Sequence, residues 1–134
     1  MSIRRPEKPI KQRPCVFLIM PLTPRSADRN HALEFLANCR KGFEVATALI
    51  CRGFAVYCPA MDMHLWLSGV EVPTAEDIYE QDLSLLARMD AAFLLPGWLR
   101  SQNCAREVEL AHKLHIPCFI TVEALQNWKK EWEK

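Results

Sequence analysis

The run Cys15-Val-Phe-Leu-Ile-Met20 is six residues long and holds no charge. An unbroken apolar stretch of that length is the pattern of a strand covered on both faces, as in a parallel sheet with helices on either side. Pro21 and Pro24 end it. Three further runs share its character: Phe54-Ala-Val-Tyr-Cys58, Ala91-Ala-Phe-Leu-Leu95 (broken by Pro96-Gly97) and Pro117-Cys-Phe-Ile-Thr121.

Helical segments separate these strands. From His31 to Arg52, Leu36, Cys39, Phe43, Ala46 and Ile50 recur at three and four residues, with Gly53 as the stop. Thr74 is placed to cap a helix from Ala75 to Met89, with Asp77 in the capping-box position. Ser101 to about His115 reads as the next helix, and Glu123 to Lys134 as the last, with Leu125, Trp128 and Trp132 on one side. The order βαβαβαβα predicts a three-layer α/β sandwich around a four- or five-stranded parallel sheet, Rossmann-like or flavodoxin-like in class. Such sheets bind ligands beyond the carboxyl ends of their strands. Those ends are Pro21 to Asn30, Pro59 to Trp66 and Pro96 to Ser101. Pro59 to Thr74 is long for a loop, and loops of that length inside a domain usually have a function.

With 134 residues the chain has room for one domain. Residues 1–13 carry +4 and the remainder −3, so the start reads as a flexible basic arm and 14–134 as the folded domain. The net charge of +1 gives no general attraction for a nucleic-acid polymer. Neither a secretory signal nor a membrane-spanning run is present, so a soluble, cytoplasmic protein is expected. Of the six cysteines, Cys15, Cys58 and Cys118 lie in strand-like runs and Cys39 and Cys51 in a helical one. No C-x-x-C pair or zinc-finger spacing occurs, so neither a disulfide framework nor a metal is expected.

Glycine-rich dinucleotide and P-loop motifs are absent, as is G-x-S-x-G. Two carboxylates stand out by position. Asp82 falls between Ile78, Leu85 and Met89 on an inward stripe, where an ionised group is costly without partners. Its plain alternative is a helix-edge residue reaching solvent or capping a neighbour. Glu107 lies in the early turns of its helix and borders the inner face. Helix-start donors favour a charged carboxylate there, and a surface residue complementing the dipole fits the position as well. Arg25 and Arg29, beyond the first strand, suit either phosphate neutralisation or solvated loop charge.

Ile78-Tyr-Glu-Gln-Asp-Leu83, Met89-Asp-Ala-Ala-Phe-Leu-Leu95 and Ser101-Gln-Asn-Cys-Ala-Arg-Glu107 together resemble the nucleoside 2-deoxyribosyltransferase superfamily. The likeness is greatest to its 2′-deoxynucleoside 5′-phosphate N-hydrolase branch and to bacterial and phage relatives. The resemblance spans about residues 15 to 120. It implies hydrolysis of the N-glycosidic bond of a 2′-deoxynucleoside 5′-monophosphate, with no cofactor and with self-association into a homodimer or larger homo-oligomer. Glu107 would be the nucleophile, Asp82 would contact the deoxyribose or manage the proton of the leaving base, and Ser101 would bind the 5′-phosphate. Base exchange between nucleosides and non-catalytic nucleotide sensing are the alternatives. The chain departs from the pattern at Met20-Pro-Leu-Thr-Pro24, where relatives usually have a glycine, and at Asn103, which replaces a glycine in the Ser101 block. His64, Trp66 and Trp98 are candidates to stack on or hold a base, or for ordinary packing.

Overall fold

The apolar runs do become strands, and in the computed structural model, which describes residues 10–24, 30–69 and 71–134, they lie side by side as one sheet. The strands are β1 (Cys15–Ile19), β2 (Ala55–Tyr57), β3 (Ala91–Leu94) and β4 (Cys118–Phe119). All pair in parallel in the order β2-β1-β3-β4. Val16 faces Val56 on one side and Ala91 on the other, so β1 is central, as its unbroken hydrophobicity requires. The Cys15 N–H at its start donates to the Asp90 carboxylate at 2.8 Å, which fixes the β1–β3 register from the side chain.

Among the described residues four α-helices connect and cover the strands: α1 (His31–Ile50), α2 (Ala75–Leu86), α3 (Gln102–Lys113) and α4 (Val122–Trp132). Alternation along β1 assigns them to layers. Val16, Leu18 and Met20 pack with Cys39, Ala46 and Leu49 of α1 and Leu125 of α4. Phe17 and Ile19 pack on the other face with Leu86 of α2 and Cys104 and Val108 of α3. This is the expected three-layer α/β sandwich, with four strands among the described residues.

Local chemistry explains the helix starts. Thr74 and Asp77 form a reciprocal capping box, with the Asp77 N–H donating to Thr74 Oγ1 (3.0 Å) and the Thr74 N–H to Asp77 Oδ2 (3.1 Å). Ser101 caps α3 by accepting from the Cys104 N–H, and Thr121 caps α4 by accepting from the Ala124 N–H. Trp128, on the side of α4 that also carries Leu125, packs against Phe119 with ring centroids 5.8 Å apart.

Two expectations are corrected. The buried residues of α1 are Cys39, Gly42, Ala46 and Leu49, whereas Leu36, Phe43 and Ile50 are 53%, 37% and 47% exposed. Cys39 and Ala46 face inward as expected, but the centre of the stripe is turned by roughly 60° around the axis. Close approach to the sheet causes this: a Cβ on Gly42 would stand 2.4 Å from Met20 Cε and 3.0 Å from Cys58 Sγ. A helix lying so near the strands must present small residues to them. The second correction concerns the long loop, of which Pro59–Ser68 winds into a 3₁₀ helix with Pro59 in its first turn and Gly69 closing it at φ 71°.

Residues 1–9 of the expected arm lie outside the described residues. Arg13, assigned to that arm, donates to the carbonyls of Ile50 (3.0 Å) and Phe54 (3.3 Å) and so belongs to the fold. Among the described residues no helix is long and apolar enough to cross a membrane.

Candidate functional site

The strand order reverses direction at β1, which has β2 on one side and β3 on the other. A crevice opens beyond the carboxyl ends of strands at such a switch point. Met20 at the end of β1 lines a cavity there of about 530 Å³, a size suited to a small ligand. Three carboxylates also line it: Asp62 from the 3₁₀ segment, Asp82 from α2 and Glu107 from α3. They are the buried acids of the described residues, at 8%, 8% and 7% exposure.

Each acid has a different environment. The Tyr57 hydroxyl donates to Asp62 Oδ1 and lies 3.3 Å from Asp82 Oδ1. One phenolic proton cannot serve two carboxylates, so the Asp82 side of this group needs a proton of its own. Burial raises the Asp82 pKa well above the carboxylate range, with Asp62 adding to it and Glu107 less so. Burial and then the neighbouring acids also push the Tyr57 phenol up, so it stays a donor. On α3, burial first and the charge of Asp62 second raise Glu107 to about 8. Its Oε2 is buried with no hydrogen-bond partner. A buried carboxyl oxygen without a partner, on a residue that lines a cavity, marks a candidate functional group.

Ser101 and Asn103 stand at the start of α3 on the same cavity wall. The Ser101 oxygen accepts from the Cys104 N–H at 3.3 Å, which leaves its hydroxyl proton to donate to a ligand. Tyr79, one turn before Asp82, lines the cavity too, its buried hydroxyl lying near Arg106. Burial and then Glu107 raise its pKa, opposed by Arg106.

Residues 36–120 match the model of a family described as a domain of unknown function (DUF4406). The chain belongs to this DUF4406 family. The matched stretch contains Asp62, Asp82, Ser101 and Glu107, and so covers every acid of the cavity. No curated protein and no solved structure matches the chain.

Of the residues singled out from the sequence of this DUF4406 chain, Glu107, Asp82, Ser101 and Asn103 converge on one cavity. His64 and Trp98 fall outside it. His64 is exposed on the 3₁₀ segment, and Trp98 packs against the cluster around Phe17. Among the described residues the aromatic walls are Phe35 and Tyr79 instead. Arg25 and Arg29, and the side chain of Trp66, lie outside the described residues. Asp62 and Tyr57 escaped sequence reasoning. The one signal for Asp62 was its place just beyond the carboxyl end of β2, where an acid close behind Pro59 is carried toward the crevice. Among the described residues no three His, Cys, Asp or Glu side chains are arranged to hold a metal ion.

Proposed function

We propose that the protein hydrolyses the N-glycosidic bond of a 2′-deoxynucleoside 5′-phosphate, the monophosphate being the smallest such substrate. The observation that carries this reading is Glu107: a buried carboxylate with an unpartnered oxygen, facing a cavity that also holds a second acid predisposed to keep its proton. Cleavage of such a bond passes through an oxocarbenium-like state and uses one ionised and one protonated carboxyl group; burial raises both acids here, and an ionised Glu107 raises Asp82 further, so one negative charge on the pair holds the proton on Asp82. Glu107, ionised, attacks C1′ as the bond to the base breaks. The base departs with the bonding electrons and takes a proton from Asp82. Water then attacks C1′ of the glycosyl ester and gives its proton to the Asp82 carboxylate, so that Glu107 leaves as the carboxylate and Asp82 is again protonated. Burial disfavours ionised Glu107, and the positive charge developing at C1′ offsets that penalty where the reaction needs it. Ser101, at the start of α3, is suited to an anionic 5′ group.

The test is free-base release from a panel of 2′-deoxynucleoside monophosphates, read by chromatography. Wild type should release base, and Glu107→Ala should lose roughly 10³-fold or more of that rate. Release by the variant at the wild-type rate would overturn the assignment. Adding a second free base to the same assay separates hydrolysis from exchange, since new nucleotide forms only by transfer.

A further inference from the structure

A second cavity, of about 620 Å³, lies on the other side of the α3 start. Thr23, Pro24, Ser101 and Asn103 line both cavities, so the two meet across these residues. Their charges differ. Among the described residues the acid-bearing cavity has three carboxylates and no lysine or arginine on its walls. The second has Lys41 from α1 and Arg100 from the turn before α3, with Glu34 as its carboxylate. Neither Lys41 nor Arg100 forms an ion pair among the described residues. Gln102 and Asn103, whose N–H groups belong to the first turn of α3 and lack helical partners, also line it.

This division of charge orients a nucleotide. The acid-bearing cavity offers phosphate no lysine or arginine among the described residues, and the ionised Glu107 that the reaction uses repels it, so base and sugar belong with Glu107, and the 5′ substituent runs past Ser101 toward Lys41 and Arg100. A single phosphate at Ser101 would leave most of the second cavity unused. We propose that this cavity is a subsite for a further phosphate, and that the preferred substrate is a nucleoside 5′-diphosphate or a longer 5′-phosphate ester. The arginine fork and the lysine charge are the groups that recognise such an anion. The inference rests on the proposed reaction for the sugar end of the ligand, while the anion subsite is open to test by itself.

Two measurements separate the possibilities. In the base-release assay, wild type should favour the 5′-diphosphate over the monophosphate by about tenfold or more in kcat/KM, and the double variant Lys41→Ala/Arg100→Ala should bring that ratio toward one through KM. A wild-type ratio of one or below, or a ratio untouched by the double variant, would overturn the subsite. If no nucleotide releases base, the reaction assignment fails, and calorimetry on the same proteins still decides the subsite. Inorganic pyrophosphate should bind wild type about tenfold or more tighter than inorganic phosphate, and the double variant should lose the difference. Equal binding of the two anions, or a preference that survives in the double variant, would contradict it.

Discussion

Two helical layers cover the same central strand, and they bury different things. Against one face of β1, α1 buries Cys39, Gly42, Ala46 and Leu49, a set chosen for closeness and dryness. Against the other, α2 and α3 bury Leu86, Cys104, Val108 and Ala111 but also Asp82 and Glu107. Both layers solve the same packing problem, and the first shows that apolar and small residues suffice. Carboxyl groups on the second layer therefore owe nothing to packing and cost stability in proportion to their burial. The buried acids therefore mark the candidate site: it lies at the carboxyl ends of the strands, on the face that α2 and α3 cover.

The comparison is broken most strongly from the dry side. Leu49 is fully buried between α1 and the sheet, so Leu49→Ala should cost about 2–5 kcal/mol in urea unfolding. Base release per folded molecule should stay as in wild type, because Leu49 does not line the acid-bearing cavity. Gly42→Ala is a smaller perturbation that links the layers. The new methyl would meet the flexible end of Met20, which must yield, for a loss of about 1–3 kcal/mol. Met20 also lines the acid-bearing cavity, so this variant should change KM as well, where Leu49→Ala should not.

What the sequence disclosed followed from how local each cause is. The centrality of β1 was readable because burial on both faces acts on every residue of the run. The capping box at Thr74 was readable because its partners are three residues apart. Asp82 and Glu107 were legible as acids bordering inward stripes, and the resemblance gave them company with Ser101. The rotation of α1 was hidden because it depends on how near Gly42 comes to Met20 and Cys58, which are distant in the chain. Asp62 was hidden for a similar reason: only the winding of the segment after Pro59 turns it beneath Tyr57. Phe35 and Tyr79, rather than His64 and Trp98, face the cavity because helix orientation, not aromatic character, decides which rings reach it.

Glu107 joins the two halves of the comparison, since it should be costly to the fold and necessary to the reaction. Its pKa is raised from 4.5 to about 8 by folding, so the protonated form is the one the fold favours. That stabilisation is complete below about pH 4.5 and is lost as pH rises through about 8. Wild type should accordingly be less stable at pH 8 than at pH 5, and Glu107→Gln, which has no charge to bury, should remove part of that difference, on the order of 1–3 kcal/mol. The decisive measurement is Glu107→Gln beside wild type, with unfolding at pH 5 and pH 8 and base release read on the same samples. Glu107→Gln should be inactive yet lose less stability than wild type between the two pH values. A variant that releases base at the wild-type rate, with an unchanged pH dependence of stability, would contradict that expectation.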